Sequence, residues 1–415
     1  MDRLSAGDVI QCLLAPAAAE QTGLGRSPLP PLLRPQARLA VLDVTELFGE
    51  TSGGIRTYLM EKAAYIEARP ELRHVLVVPG GSDAVTETTG VRCYRLRGPR
   101  VPTQRPYRFM LATRTNRRIV EHERPDVIEV GSPGLVPWIV HHAAAPLGVP
   151  LVHFFHSNYP ALFGTGMMRR AAAGYARALD RLFAATVVTS ASAEDELRRA
   201  GVDRMVRIPL GVDLECFHPA RRARAAEVRD RLGLAGGPLV IYTGRFAREK
   251  CLGVLLAGWP LIRASTGARL LLVGDGPLKS KLRRSVSGQP WASSVHWMPF
   301  TTDRVALAEL LAAADLFVSP GGNETFGLAP LEAMAAGAPV LTADRGGVAE
   351  QVIASGAGAL FRDGDAKALA TAAVRILAAD AMPLRALART YAAGEHDWDR
   401  VFGRLTALYE SVRRP

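Results

Sequence analysis

The sequence predicts an α/β protein built from two doubly wound, parallel-sheet domains of Rossmann-like type, facing each other across a cleft. Three observations carry this. Short apolar runs recur without polar alternation and are separated by stretches of helical periodicity, as expected for strands covered on both faces. The same rhythm restarts in mid-chain, after Gly236-Gly237-Pro238. The segments richest in glycine and charge fall directly after strands, where doubly wound sheets bind ligands.

In the first half the strands are expected at 37–43, 74–78, 126–130, 151–155, 186–190 and 205–208, with a helix over 55–68 whose Ile55, Leu59, Ala63 and Ile66 recur at helical spacing. In the second half strands are expected at 239–243, 269–273, 295–298, 316–319 and 339–342, with helices over 252–264 and 279–285. The boundaries that follow are a leader at 1–36, an N-terminal acceptor domain at 37–218, a linker at 219–237 rich in Arg, Ala and Gly, a C-terminal nucleotide-sugar domain at 238–385, and a helical segment at 386–415 that packs back on the N-terminal domain. The leader is expected to be disordered. Its apolar stretch at 9–19 follows Asp2 and Asp8, the wrong charge for a signal peptide, and precedes a Pro-rich run at 27–35.

A chain of 415 residues with 48% hydrophobic and 22% charged residues can fill two such cores. It has no apolar run long enough to cross a bilayer. Cys12, Cys93, Cys216 and Cys251 are scattered, with no CxxC pair or His/Cys cluster, so neither a disulfide framework nor a zinc site is expected. The expected location is the cytoplasm.

The net charge of +11 is concentrated: residues 92–124 hold ten Arg against Glu121 and Glu123. One reading is a solvated basic helix. The other is a surface for an anionic partner, with 107–124 as a basic amphipathic helix that makes peripheral contact at the inner face of a membrane. No helix-turn-helix, zinc-finger or RRM pattern accompanies the charge, so nucleic acid is not an expected partner.

Four segments carry chemistry. Residues 319–336, SPGGNETFGLAPLEAMAA, read as a strand end, a Gly-rich loop and a helix starting near Phe326 or Gly327. Unpaired N–H groups at a helix start accept a diphosphate, Gly327 allows close backbone approach, and Glu324 and Glu332 are acceptors suited to vicinal hydroxyls. In YTGRFAREK at 242–250, Gly244 and Arg245 leave a strand and Lys250 follows five residues on, a cationic clamp for a leaving diphosphate. Gly53-Gly54 stand between the first strand and helix without a GxGxxG fingerprint, a weak signal by themselves. His156, in HFFHSNY at 153–159, follows a strand on the cleft side; a lone histidine is more often structural than functional. LVGDGP at 272–277 reads mainly as a tight turn.

Assembled, these residues resemble the retaining glycosyltransferases of family 4, which have the GT-B fold. The resemblance covers nearly all of 37–410 and is most specific in GNETFGLAPLEAMAAGAPV, with support from GRFAREK, LLLVGDGP and IPLGVDLECFHP. It implies that Arg245 and Lys250 bind the diphosphate, and that Glu324 holds the transferred sugar with help from Thr325 and the main chain of Phe326, Gly327 and Leu328. Glu332 would hold the ribose, Gly53 and Gly54 would approach the diphosphate, and His156 would lie near the anomeric carbon. Cys251 departs from the family, which usually has Gly after the lysine. The implied chemistry is retention by same-face attack, with no metal and no cofactor; no DxD-type carboxylate pair is present. ETFG and the HSN segment look most like mannosyltransferases that use GDP-mannose. UDP-sugar donors stay open, as does the hydroxyl acceptor: a glycolipid, a polyprenyl-linked saccharide or a small metabolite. Three rivals stand beside this reading. They are a sugar-nucleotide epimerase, a nicotinamide dehydrogenase (disfavoured by the absent GxGxxG), and a non-catalytic sugar-nucleotide-binding protein.

Overall fold

The computed structural model describes residue 24 and residues 27–49, 53–102, 107–156 and 166–413. The chain divides into two compact units. The first comprises residues 1–189, 194–208 and 401–415, and the second 190–193 and 209–400.

The first unit is built on an eight-stranded sheet in the order β3-β4-β2-β1-β5-β6-β7-β8. The strands are β1 (Leu39–Val44), β2 (Leu72–Gly80), β3 (Ala84–Glu87), β4 (Val91–Arg97), β5 (Val127–Val130), β6 (Leu151–Phe154), β7 (Ala185–Val188) and β8 (Met205–Arg207). β1 lies at the centre, parallel to β2 on one side and β5 on the other, and all six of its residues are buried. The direction of winding reverses between β1 and β5, which makes their carboxyl ends the place where a doubly wound sheet opens to a ligand. The sheet is not wholly parallel: β3 runs antiparallel to β4. A connection of only three residues, 88–90, cannot span a crossover, so it closes a hairpin. Glu67 holds that turn by accepting from the Gly90 N–H and the Thr88 hydroxyl.

The second unit has six parallel strands in the order β11-β10-β9-β12-β13-β14. They are β9 (Leu239–Thr243), β10 (Arg269–Val273), β11 (Val295–Met298), β12 (Leu316–Ser319), β13 (Val340–Ala343) and β14 (Gly358–Phe361). Here the reversal falls between β9 and β12. One face is covered by helices Leu252–Thr266 and Ala366–Ala378, whose Trp259, Ile262, Leu369 and Ala373 join Val240, Leu270 and Leu316 in one core. The two helices approach closely at Gly258, where a Cβ would lie 2.6 Å from the Ala366 carbonyl.

Several elements differ from the sequence expectation. Residues 219–237, expected to link the domains, form a 3-10 turn (Pro219–Arg224) and a helix (Ala225–Arg231) inside the second unit, because Arg222 and Arg229 both pair with Asp315 at the foot of β12. The basic helix runs over Thr113–Glu123 rather than 107–124, since Phe109 is tied to the Pro99 carbonyl and Arg108 to that of Gly98. Arg92 is buried on Glu123 and Glu87, and Arg118 donates to the carbonyls of Leu24 and Ser27, so neither faces outward. Of the leader 1–36, residues 1–23, 25 and 26 lie outside the described residues. Residues 30 and 31 accept from Arg92 and His122 through their carbonyls, and Arg34 donates to four carbonyls of 66–72.

Candidate functional site

In the second unit the expected donor residues gather at the carboxyl ends of β9 and β12, the two strands that flank the reversal of winding. Gly244 and Arg245 leave β9, and Lys250 sits one short turn later. Gly244 has φ +148, and Tyr242 donates its hydroxyl to the Arg245 carbonyl at 3.0 Å, which fixes the exit of the loop. The neighbouring turn after β10 packs backbone on backbone: a Cβ on Gly274 would lie 2.0 Å from the Gly244 carbonyl, and one on Gly276 would meet Phe246. LVGDGP is therefore a structural brace for the cationic loop. Cys251 adopts φ +51, a left-handed conformation suited to glycine.

The loop after β12 carries Glu324 and Thr325, and its helix begins at Leu328, capped by Gly327 at φ +95 with no side-chain cap. The first amides of that helix are left to a ligand or solvent. Lys250 donates to Glu324, both about three-quarters buried, so the structure brings together the cation and the carboxylate on which the sequence reading rests. Glu332 lies on the same helix at 8% exposure. Its carboxylate takes no side-chain hydrogen bond from the described residues, and burial pushes it up to about 7 while Arg304 pulls it back and Asp213 pushes it further. Arg304 and Asp213 stand 3.9 Å apart, and the Arg304 guanidinium lies over the Phe217 ring.

Residues that sequence reasoning missed hold this loop in place. Gly347 donates to the Glu324 carbonyl at 2.8 Å, and Gln351 to that of Phe326 at 2.7 Å. A Cβ on Gly346 or Gly347 would collide with the backbone of residues 322–326 at 2.4–2.5 Å. The paired glycines after β13 were the available signal. Arg304 and Asp213 left none, because nothing in their local sequence marks them as neighbours of Glu332.

In the first unit, Gly53 caps helix Gly54–Glu67 directly after β1, on the side of the reversal. Its φ is −76°, and among the described residues a Cβ there would meet nothing within 4 Å. His156 follows β6. Its ring stacks on Phe154 at 4.3 Å and meets Tyr58 edge-on at 5.1 Å. Gly131, at the end of β5, makes room for it: a Cβ there would lie 3.2 Å from the imidazole. Burial, then His153 and Lys62, push His156 down to about 3, so it is a neutral hydrogen-bonding group at neutral pH. The segment 157–159 of HFFHSNY lies outside the described residues. Among the described residues no group of His, Cys, Asp and Glu is arranged to hold a metal ion, and no helix is long and apolar enough to cross a membrane.

Two family descriptions match the chain: "Glycosyltransferase Family 4" over residues 52–216 and "Glycosyl transferases group 1" over 237–379. The GDP-mannose-dependent alpha-(1-6)-phosphatidylinositol dimannoside mannosyltransferase of Mycobacterium tuberculosis is 34% identical over 339 residues, 75% of this chain and 84% of that protein. A GDP-mannose-dependent alpha-mannosyltransferase of the same organism is 32% identical over 340 residues, 81% and 86% of the two chains. Among solved structures, sucrose-phosphate synthase from Thermosynechococcus elongatus superposes with a TM-score of 0.72 at 23% identity, covering 90% of this chain and 99% of that one. Anabaena HepE in complex with UDP and glucose superposes at 0.73 with 17% identity, over 90% and 100%.

Proposed function

The chain is a glycosyltransferase of family 4 with the GT-B fold, and from that premise we propose that it is a retaining mannosyltransferase that moves mannose from GDP-mannose to a hydroxyl of a lipid-linked saccharide. One observation carries the reading. At the reversal of winding in the second unit, the loop after β9 carries Arg245 and the Lys250 that pairs with Glu324, and the loop after β12 opens the helix at Leu328 that carries the buried Glu332, whose carboxylate takes no side-chain hydrogen bond from the described residues. That is a cation set for a diphosphate on one loop and two acceptors for sugar hydroxyls along the next loop and helix.

The assignments follow from the chemistry of each group. Arg245 and Lys250 take the diphosphate, with the backbone of Phe326, Gly327 and Leu328 on its oxygens. Glu324 accepts from hydroxyls of the transferred sugar, and Glu332 from the ribose. Gly53 and Gly54 approach the phosphates. Neutral His156 bonds a sugar hydroxyl near the anomeric carbon. In the reaction the anomeric carbon–phosphate oxygen bond breaks as the acceptor oxygen bonds from the same face. The acceptor proton passes to the departing phosphate oxygen, and the charge that develops there is stabilised by Arg245 and Lys250. We read the reaction as metal- and cofactor-independent because these two cations supply the positive charge.

The mannose donor is favoured by the names of the two mycobacterial relatives. A UDP-sugar donor is the second reading, favoured by the UDP bound in the HepE structure. The acceptor is read as a glycolipid from the phosphatidylinositol dimannoside in the name of the first relative. Peripheral attachment at the cytoplasmic face of a membrane is the matching reading of residues 92–124, where Arg97, Arg100, Arg114, Arg117 and Arg124 are exposed with Leu111. Calorimetric titration with GDP and UDP side by side tests the donor. Binding of GDP and not UDP is expected; UDP alone overturns mannose, and binding of neither overturns the site. Sedimentation with anionic vesicles tests the attachment.

A further inference from the structure

The first unit buries a group of charges that the transfer reaction does not use. Asp43 on β1 and Glu129 on β5 are register partners across the reversal of winding. Both side chains, with that of Lys62 from helix Gly54–Glu67, are only 2% exposed. The Lys62 ammonium donates to Asp43 at 2.7 Å and to the Tyr409 hydroxyl at 2.7 Å, and it lies 3.2 Å from Glu129. Tyr58, one turn into the same helix, donates to Glu129 at 3.0 Å, and Tyr409, on helix Trp398–Val412, donates to Glu129 as well. His74 on β2 closes the group at 2.5 Å from Asp43. Three strands and two helices contribute its polar atoms.

Stability does not explain such a group. Taking ions out of water costs several kcal/mol each, and well-packed apolar residues of the same volume often serve the fold as well or better. A buried hydrogen-bonded network does what an apolar contact cannot: it favours one register. The residues so registered are those of the proposed site. Helix Gly54–Glu67 starts at Gly53-Gly54, and Tyr58, bonded to Glu129 through its hydroxyl, presents its ring edge to His156.

We propose that Asp43, Lys62, Glu129, Tyr58 and Tyr409 form a positioning device, which seats the glycine-capped helix and the His156 ring at the height on the sheet that transfer requires, and that the C-terminal helix completes it through Tyr409. The proposal rests on the reading of Gly53, Gly54 and His156 given above. It assigns to a residue near the end of the chain an effect on chemistry performed by residues in its first half.

The experiment replaces single hydroxyls and leaves the rings: Tyr58→Phe and Tyr409→Phe, in the full chain. Turnover is followed as GDP release from GDP-mannose with phosphatidylinositol dimannoside as acceptor, well below the melting temperature. Each variant is expected to lose about fivefold to twentyfold in kcat, the size of effect that a small misplacement of a positioned group produces, while its Kd for GDP stays within about twofold because the charged groups proposed for GDP, Arg245, Lys250 and Glu332, belong to the second unit. Ile119→Val, in the core of the first unit away from the cluster, supplies a destabilised reference whose kcat is unchanged. A lowered melting temperature with wild-type kcat in both tyrosine variants overturns the proposal, and so does a kcat loss that Ile119→Val shares. His156→Ala separates the two layers. Full activity in that variant removes the reading of the site itself, whereas an inactive His156→Ala beside fully active tyrosine variants removes only the positioning device.

Discussion

The two units meet the same problem, how to hold a loop at the carboxyl end of a parallel sheet, in opposite ways. In the second unit the loops hold each other. Gly274, Gly346 and Gly347 are glycines because neighbouring backbone leaves no room for a Cβ, Gly244 has φ +148, and the charges of Lys250 and Glu324 stay about one-quarter exposed. In the first unit no described residue stands where a Cβ on Gly53 would lie, and the fixing is done one layer down by the buried Asp43–Lys62–Glu129 group. A glycine near a candidate site therefore has two meanings: one is a demand of the fold, the other a demand of something the fold does not contain.

The largest effect expected of breaking the comparison is at the open charges. Lys250→Ala is expected to lower kcat by about a hundredfold to a thousandfold, the range for losing one preorganised group on a developing anion. Steady-state transfer assays measure it, and a loss under tenfold would remove Lys250 from the diphosphate. Next is Glu332→Gln, which removes half of a charged acceptor pair and should weaken the GDP-sugar complex about tenfold. In the unsubstituted protein Glu332 titrates at about 7, raised by burial. Donor binding through its carboxylate should thus strengthen as pH rises through 7 and fade below it, and the Gln variant should lose that dependence in calorimetry. The same raised value has an opposite sign for folding. Since the unfolded carboxyl ionises near 4.5, stability declines as pH rises from 4.5 towards 7.

The two glycines give the sharpest contrast. Gly347→Ala should cost about 1–3 kcal/mol of stability, because backbone atoms of Thr325 and Phe326 must move. Gly53→Ala should leave the melting temperature unchanged and raise the KM for the donor. Equal melting curves for both, or a destabilised Gly53→Ala, would erase the distinction between the units. The smallest effect is Cys251→Gly, which relieves a left-handed conformation at φ +51 and should stabilise by about 1 kcal/mol, readable as a shift of a few degrees by calorimetry.

Local sequence was enough for much of this. Buried parallel strands declare themselves as unbroken apolar runs, and a Gly-rich loop between strand and helix declares itself wherever it occurs; β1, β9, β12 and the loop at 320–327 were legible for that reason. Edge strands are not: β3 is polar enough to pass for a turn, and its antiparallel pairing depends on a three-residue connection. The stretch 219–237 looked like a linker because Arg and Ala carry no period, yet Asp315, some 90 residues on, turns those arginines into anchors.

By itself the sequence determined the class of fold, the two sheets, the loop that carries Arg245 and Lys250, and the loop and helix that carry Glu324 and Glu332, since each is written in contiguous residues whose period and chemistry are local. Only the tertiary structure decided that Arg304 and Asp213 bear on Glu332, that Gly346, Gly347 and Gln351 hold the donor loop, and that Tyr409 reaches Lys62 and Glu129. Those relations join residues from some two dozen to several hundred positions apart, and no spacing along a chain encodes them: they exist only once strands have ordered themselves in a sheet and helices have covered it.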